Sequence, residues 1–158
     1  MQESNIKPLR RVALCGVDHL TLLLGRACSL NDDPVVGLHD PDPQRALRGA
    51  LFLGVSALES PEKLLAQSPR VLICSGPLAD SETSNSELAL TINLCEQSGP
   101  DRPRTCWATH HSELPPDIPT EIASEVPELR FKLSGSEASI ALAARFLKGL
   151  SPSFSIDC

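Results

Sequence analysis

The chain of 158 residues is poor in aromatic side chains, with four phenylalanines, one tryptophan and no tyrosine. Aromatic rings form the platforms on which single-stranded nucleic acids stack their bases, so an extended platform of that kind is excluded. The hydrophobic core must be built from leucine, valine, isoleucine and alanine. A chain of this length is sufficient for one domain with such a core.

Positive charge is also scarce, because 14 lysines and arginines stand against 20 aspartates and glutamates and give a net charge of −6. The densest basic stretch is the short Lys7–Arg11 segment. Proteins that bind nucleic acid or anionic lipid need many more cations to neutralise phosphate groups. We therefore expect neither nucleic acid nor a membrane surface as a partner.

Long apolar runs, a targeting segment and paired metal-ligand motifs are missing as well. No apolar run approaches the ~20 residues of a membrane span, and the Met1–Ile6 segment has no signal-peptide pattern. These absences predict a cytoplasmic protein. The six cysteines form no C-x-x-C pair, so we expect free structural thiols and no metal site.

What the sequence does contain is a regular alternation of strand-like and helix-like segments. Apolar or β-branched runs predict strands at 12–17, 35–39, 54–57, 71–74, 105–109 and 129–133. Capping residues and helical periodicity predict helices that start after Asp18, near Pro43 and after Ser60, and that span 84–97 and 139–150. Such alternation is typical of an α/β sandwich with a largely parallel sheet.

The expected organisation is a single domain. Residues 1–9 read as a flexible leader, residues 10–150 as the domain and residues 151–158 as a loose tail. The proline-rich, acidic 111–127 segment is long for a loop in a compact domain. It therefore either serves a function or contains a short helix.

Four segments in order carry a resemblance to a known family. They are His-Asp-Pro-Asp-Pro-Gln-Arg-Ala at 39–46, Leu-Gly-Val at 53–55, Glu-Lys-Leu-Leu at 62–65 and Val-Leu-Ile-Cys-Ser-Gly-Pro at 71–77. This order resembles the N-terminal nucleotide-binding domain of the Gfo/Idh/MocA-type oxidoreductases. The resemblance implies a Rossmann-like three-layer sandwich with a mostly parallel sheet of about six strands. It also makes NAD(P) a candidate cofactor.

The sequence departs from that family at the phosphate-binding turn. A G-x-G-x-x-G motif provides the tight turn and the close backbone approach that pyrophosphate requires. The corresponding Leu14–Thr21 segment contains a single glycine, Gly16. Asp18 also places an anion where phosphate would lie, and His19 offsets that charge only in part. A normal pyrophosphate clamp is not expected.

Five residues nevertheless stand at or next to the carboxyl ends of predicted strands, the edge where parallel sheets bind their ligands. These candidate cofactor-binding residues are Gly16, Asp18, His19, Asp40 and Ser75. By the resemblance, Asp40 takes the place of the family's ribose-binding acid. The alternative for Asp40 is a structural role in a turn that caps the next helix.

Catalytic residues are harder to find. The family's catalytic lysine follows the fifth strand, where the Cys106–Ser112 segment has no lysine. We also expect no counterpart of the family's large C-terminal substrate sheet in these 158 residues. The sequence therefore favours a non-enzyme. Cys106 with His110 and His111 is a candidate nucleophile or metal site, and the alternative is simple packing beside a polar loop.

Two further segments have a functional and a structural interpretation. Ser134–Glu137 resembles a phosphate-cradling turn but also matches a helix capping box. The polar Asp80–Ser86 run is either a flexible lid or a solvated helix entry. The sequence of each segment does not decide between its functional and its structural interpretation.

Three hypotheses for function follow. In the first, the chain is a non-catalytic Rossmann-like module that regulates or interacts with proteins, as a homodimer or with another partner. In the second, it binds NAD(P) or another nucleotide through an altered phosphate turn, as a sensor or as part of an oxidoreductase. In the third, it is a small enzyme that uses the crevice at the strand ends.

Overall fold

The computed structural model describes residues 11–75, 88–95, 104–110, 129–151 and 154–157. The described strands are β1 (Val12–Cys15), β2 (Val35–His39), β3 (Val71–Cys74), β4 (Leu90–Cys95), β5 (Thr105–His110), β6 (Leu129–Gly135) and β7 (Phe154–Asp157). The described helices are α1 (His19–Leu30), α2 (Pro43–Leu53), α3 (Pro61–Leu65) and α4 (Glu137–Leu150). None of these helices is long and apolar enough to cross a membrane.

The seven strands form one sheet in the order β2-β1-β3-β4-β5-β6-β7. The first five of these strands run parallel to one another, β6 pairs antiparallel with β5, and β7 pairs parallel with β6. The chain therefore forms an α/β fold with a mostly parallel sheet. This confirms the fold class expected from the alternation of segments.

The expected strand at 54–57 is reduced to a single bridge at the outer edge of β2. Leu38 donates its N–H to the Ser56 carbonyl at 3.0 Å and accepts from the Leu58 N–H at 2.7 Å. Ala57 is thereby held parallel to Leu38, beyond β2. The segment lies where a Rossmann fold has its third strand, but it pairs with β2 through this single bridge.

Hydrophobic side chains cover both faces of the sheet, as the apolar runs require. On one face the larger core cluster joins the strands to α1, α2 and α4 through residues such as Leu22, Ala50 and Leu147. On the other face a smaller cluster contains Leu64 of α3, together with Cys15 and Cys74. Helices thus lie on both sides of the sheet, which makes the three layers.

Helix starts follow the capping chemistry that the sequence shows. Asp18, Asp42 and Ser60 are the N-caps of α1, α2 and α3, and α2 and α3 each begin with proline. The cap of α4 is Ser136, whose hydroxyl accepts from the Ser139 N–H. The expectation that the cap motif begins at Ser134 was wrong by two residues, because Ser134 still belongs to β6.

Two further expectations were wrong. The helix expected over 84–97 is wrong in the part that the structure describes, since Leu90–Cys95 is the strand β4, inserted between β3 and β5. The tail is not simply loose, since Phe154–Asp157 pairs with β6 as β7. The interpretations of residues 1–9, 80–86 and 111–127 fall on residues outside the described ranges.

Candidate functional site

The turn after β1 is tight and closely packed. Gly16 has a φ of +90°, a backbone conformation that favours glycine. Its N–H donates to the His39 carbonyl at 2.7 Å, and the neighbouring Ser75 N–H donates to the Cys15 carbonyl at 3.0 Å. A Cβ atom added at Gly16 would lie 2.0 Å from the Ser75 hydroxyl oxygen. The structure therefore brings Gly16 and Ser75 into direct contact.

Asp40 closes this turn from the end of β2. Its carboxylate accepts from the Val17 N–H through Oδ2 at 2.7 Å and from the Asp42 N–H through Oδ1 at 2.8 Å. The side chain is half-buried. The carboxylate thus holds the residue after the single glycine, in the place where a Rossmann turn offers amides to phosphate.

Asp18 is occupied by its own helix. Its Oδ1 accepts from the Thr21 N–H at 2.8 Å, and its N–H donates to the Thr21 hydroxyl at 2.9 Å, which makes a complete capping box. His19 is the first residue of α1 and is half-buried. The carboxylate of Asp18 adds negative charge at the end of α1 where an anionic ligand would be attracted.

Sequence reasoning missed Arg45, which also contacts the turn. Its Nε donates to the Val17 carbonyl at 3.0 Å, and its Nη2 donates to the same oxygen. Val17 is therefore held on its N–H by a carboxylate and on its carbonyl by a guanidinium. The signal in the sequence was the spacing of Arg45, in the first turn of the helix that follows Asp40.

The carboxyl edge of the sheet brings together most of the expected residues. Gly16 contacts Ser75, Asp40 binds the next residue after Gly16, and Asp18 follows that residue. His110 ends β5, three strands away from β1 in the sheet order. With neighbouring strands ~4.8 Å apart, this backbone position is ~14 Å from the turn. The backbone of His110 therefore lies apart from the Gly16 cluster.

Cys106 and His110 do not form a nucleophilic pair. Both lie on β5, four residues apart, which corresponds to ~13 Å along a strand. Cys106 is fully buried in the larger core cluster. This geometry favours the packing role, and His111 lies outside the described residues.

Residues 90–95 form a strand where a helix was expected. The position at which the resemblance places the family's catalytic lysine therefore changes as well. When the bridge at Ala57 is counted as the third strand, β4 and not β5 holds the fifth position. The sequence after β4 reads Glu96-Gln97-Ser98, again without lysine. A hydride-transfer site of the family type therefore lacks its acid/base residue at either place.

One buried polar residue was missed because its segment was assigned to a helix. Asn93 lies in β4 and is 3% exposed. In the sheet register it stands beside Cys74 on β3 and Trp107 on β5. Its Oδ1 has no hydrogen-bond partner among the described residues. An asparagine in an otherwise apolar stretch was the available signal.

Four cysteines have side chains that the structure describes. Cys15, Cys28, Cys74 and Cys106 are buried, and none of them forms a disulfide. Burial raises the pKa of the Cys28 thiol well above its usual range, and the nearby negative charge of Asp33 raises it further. No group of three or more metal-ligating side chains occurs in the described part of the chain.

Comparison with known proteins identifies the fold. No protein-family model and no curated protein matches the chain. Among solved structures it is similar to prephenate dehydrogenase of Aquifex aeolicus in complex with hydroxyphenyl propionate and NAD+, with 10% identity and a TM-score of 0.71 over 98% of this chain and 60% of that one.

Two other enzymes give a similar match. (S)-3-hydroxybutyryl-CoA dehydrogenase of Ralstonia eutropha has 11% identity and a TM-score of 0.62 over 95% of this chain and 63% of that one. A variant imine reductase of Myxococcus stipitatus in complex with NAD+ has 16% identity and a TM-score of 0.62 over 96% of this chain and 55% of that one.

These matches establish a Rossmann-like fold of the kind found in NAD(P)-binding dehydrogenases and oxidoreductases. They do not single out the Gfo/Idh/MocA type. The chain spans about 60% of the length of the first structures that it matches.

Proposed function

We propose that this chain is a nucleotide-binding domain of the oxidoreductase kind, which binds the adenosine half of NAD(H) through an altered phosphate turn. The observation that carries the proposal is the position of Asp40. Its carboxylate lies at the carboxyl end of β2 and is fixed to the turn after β1. In Rossmann domains an acidic residue at this position binds ribose hydroxyls.

The geometry leaves Asp40 able to bind a ribose. An ionised carboxylate has about four lone-pair sites, and the backbone N–H groups of Val17 and Asp42 use two of them. A ribose diol can donate to the remaining sites. The negative charge disfavours a 2′-phosphate, so the proposal expects NAD(H) to bind more tightly than NADP(H).

The same geometry limits affinity for the pyrophosphate. The Val17 N–H already donates to Asp40, and the Asp18 carboxylate repels a phosphate near the start of α1. The guanidinium of Arg45 is engaged with the Val17 carbonyl. We therefore expect a dissociation constant for NAD+ on the order of 0.1 mM.

The test is a calorimetric titration of the pure protein with NAD+, NADH, NADP+ and NADPH. The informative variant is Asp40→Asn, which keeps one oxygen for the Val17 N–H and removes the charge. We expect it to weaken NAD+ binding by about tenfold. Asp157→Asn is the matched control, since Asp157 lies on β7 at the far edge of the sheet.

The proposal would be refuted by the absence of binding to all four dinucleotides at millimolar concentration. It would also be refuted by NAD+ binding that Asp40→Asn and Asp157→Asn leave equally unchanged. Relationship to the Gfo/Idh/MocA type and a cytoplasmic location are further parts of the proposal. The order of the four motif segments supports the first, and the absence of a disulfide among the four described cysteines is consistent with the second.

A second candidate function is a protein-interaction module that acts as a homodimer. One observation favours it. Leu47 and Leu51 lie one turn apart on α2 and are 56% and 74% exposed. A Leu47→Glu, Leu51→Glu variant should then convert a dimer to a monomer in sedimentation analysis, without loss of folding. A wild-type monomer at 0.1 mM or so would reject this candidate.

A further inference from the structure

The amide oxygen of Asn93 requires a physical explanation. The side chain is almost fully buried in β4, and Oδ1 meets no hydrogen-bond donor among the described residues. Buried polar atoms are nearly always hydrogen-bonded, and an exception often marks a functional contact. A leucine of similar size would satisfy the packing at this position without leaving an acceptor unpaired.

The sheet register places this oxygen at the ligand-binding edge. Cys15 is the last residue of β1 and stands beside Cys74, which is the last residue of β3. Cys74 in turn stands beside Asn93, and Asn93 beside Trp107. Residues paired in parallel register project from the same face. Asn93 therefore lies level with the carboxyl ends of β1 and β3, on the face that carries Cys15 and Cys74.

This position is on the opposite side of the crevice from Asp40. The chain goes from β1 outwards to β2 and then returns to form β3 on the other side of β1. A dinucleotide crosses a parallel sheet at such a reversal of strand order. From β2 to β4 there are three strand spacings, or ~14 Å. A ligand with its adenosine at Asp40 would extend its other half towards Asn93.

Resting on the proposed function, we infer that Asn93 determines specificity for the half of the ligand distant from adenosine. The amide oxygen accepts a hydrogen bond from an uncharged N–H or O–H donor, such as a primary carboxamide. A carboxylate or a phosphate offers no proton to this acceptor.

The experiment compares NAD+, whose distal half has a carboxamide, with ADP-ribose, which lacks that group. We expect the wild-type protein to bind NAD+ about tenfold more tightly than ADP-ribose. In Asn93→Leu the two ligands should bind within about twofold of each other, with the affinity for ADP-ribose unchanged. Thr91→Val is the matched control, a buried polar residue on the same face of β4 that should leave the preference intact.

Thermal unfolding separates a binding role from a structural one. Asn93→Leu should fold with an equal or higher Tm, because it removes an unpaired buried acceptor. If that variant fails to fold, Asn93→Ala removes the same oxygen without added bulk, and the same loss of preference is expected. A variant that folds and keeps the tenfold preference for NAD+ overturns the inference.

The two proposals can fail separately. If the wild-type protein binds NAD+ and ADP-ribose equally well, and Asp40→Asn weakens both, the nucleotide site stands and the role of Asn93 is wrong. If neither ligand binds, both the proposed function and the inference about Asn93 are wrong.

Discussion

The carboxylate of Asp40 accepts a 2.7 Å hydrogen bond from the backbone N–H of Val17, 23 residues earlier in the chain. This contact ties the end of β2 to the turn after β1. Asp40 also orders the turn before α2 by accepting from the Asp42 N–H. This is the structural role that the sequence offered for Asp40, and the ribose-binding role that we propose uses other lone pairs of the same carboxylate. A structural role and a ribose-binding role are therefore compatible.

Removing the carboxylate should destabilise the domain. Asp40→Ala leaves the N–H of the buried residue Val17 without this acceptor, and we expect a loss of about 1–3 kcal/mol in the free energy of unfolding. Asp40→Asn, which keeps one oxygen, should lose less. Urea denaturation checks both values. Asp157→Ala, an exposed change on β7, should stay within about 0.5 kcal/mol of the wild type.

Gly16 should tolerate no larger residue. Gly16→Ala places a methyl group 2.0 Å from the Ser75 hydroxyl oxygen, at a φ of +90°. The expected loss exceeds about 2 kcal/mol of unfolding free energy, since strain from positive φ alone costs about 1–2 kcal/mol.

Gly54→Ala is the matched control for this change. Gly54 has a φ of +70° and nothing within 4 Å of an added Cβ, so it reports the cost of strain alone. Adding Ser75→Ala to Gly16→Ala should recover part of the difference. If Gly16→Ala and Gly54→Ala lose the same stability, the contact with Ser75 is not restrictive.

The charge of Asp18 should oppose a phosphate-bearing ligand. Asp18→Asn keeps an N-cap side chain for the Thr21 N–H and removes the negative charge. We expect it to increase the affinity for NAD+ by about two- to fivefold in low salt. Calorimetry in low and high salt checks this, and the gain should shrink in high salt.

Glu137→Gln serves as the control for that substitution. Glu137 lies in the first turn of α4, which follows β6, and β6 runs antiparallel to β5. Its helix therefore begins at the opposite edge of the sheet from α1. An equal gain in affinity from Glu137→Gln would mean that net charge, and not the position of Asp18, limits binding.

Cys28 should be chemically inert in the folded protein. Burial raises the pKa of its thiol, and the charge of Asp33 adds to the effect. We expect no alkylation of Cys28 by iodoacetamide at pH 8.5 until urea unfolds the chain, as measured by mass spectrometry of its peptide. Rapid labelling under native conditions would contradict this.

The same shift predicts a dependence of stability on pH. The folded state favours the neutral thiol, so its contribution is complete below the unfolded pKa of about 8.5 and is lost as pH rises above it. Cys28→Ala should show a weaker loss of stability between pH 8 and 10 than the wild type. Unfolding midpoints across that range provide the measurement.

Much of the local structure follows directly from side-chain chemistry. Asp18, Asp42 and Ser60 place their oxygens where the first amides of a helix need acceptors, and all three are caps. The apolar runs that form β1, β2 and β3 require a sheet that is covered on both faces. For these elements the sequence determined the structure, since the relevant interactions span a few residues.

The β4 segment shows where local pattern fails. Leu88, Ile92 and Cys95 recur at helical spacing, whereas Leu88, Leu90, Ile92 and Leu94 alternate as in a strand. The two periods compete in one short segment. Pairing with β3 and β5, which lie far away in sequence, settled the choice. The same pairing put Asn93 in a buried row beside Cys74 and Trp107.

By itself, the sequence determined the alternating α/β order, the helix caps and the presence of a single glycine in the turn after β1. These depend on periodicity and on backbone amides within one helical turn. Only the tertiary structure decided that Asp40 binds Val17 and that Gly16 meets Ser75. Such contacts depend on strand order and register, which are fixed by packing between distant segments.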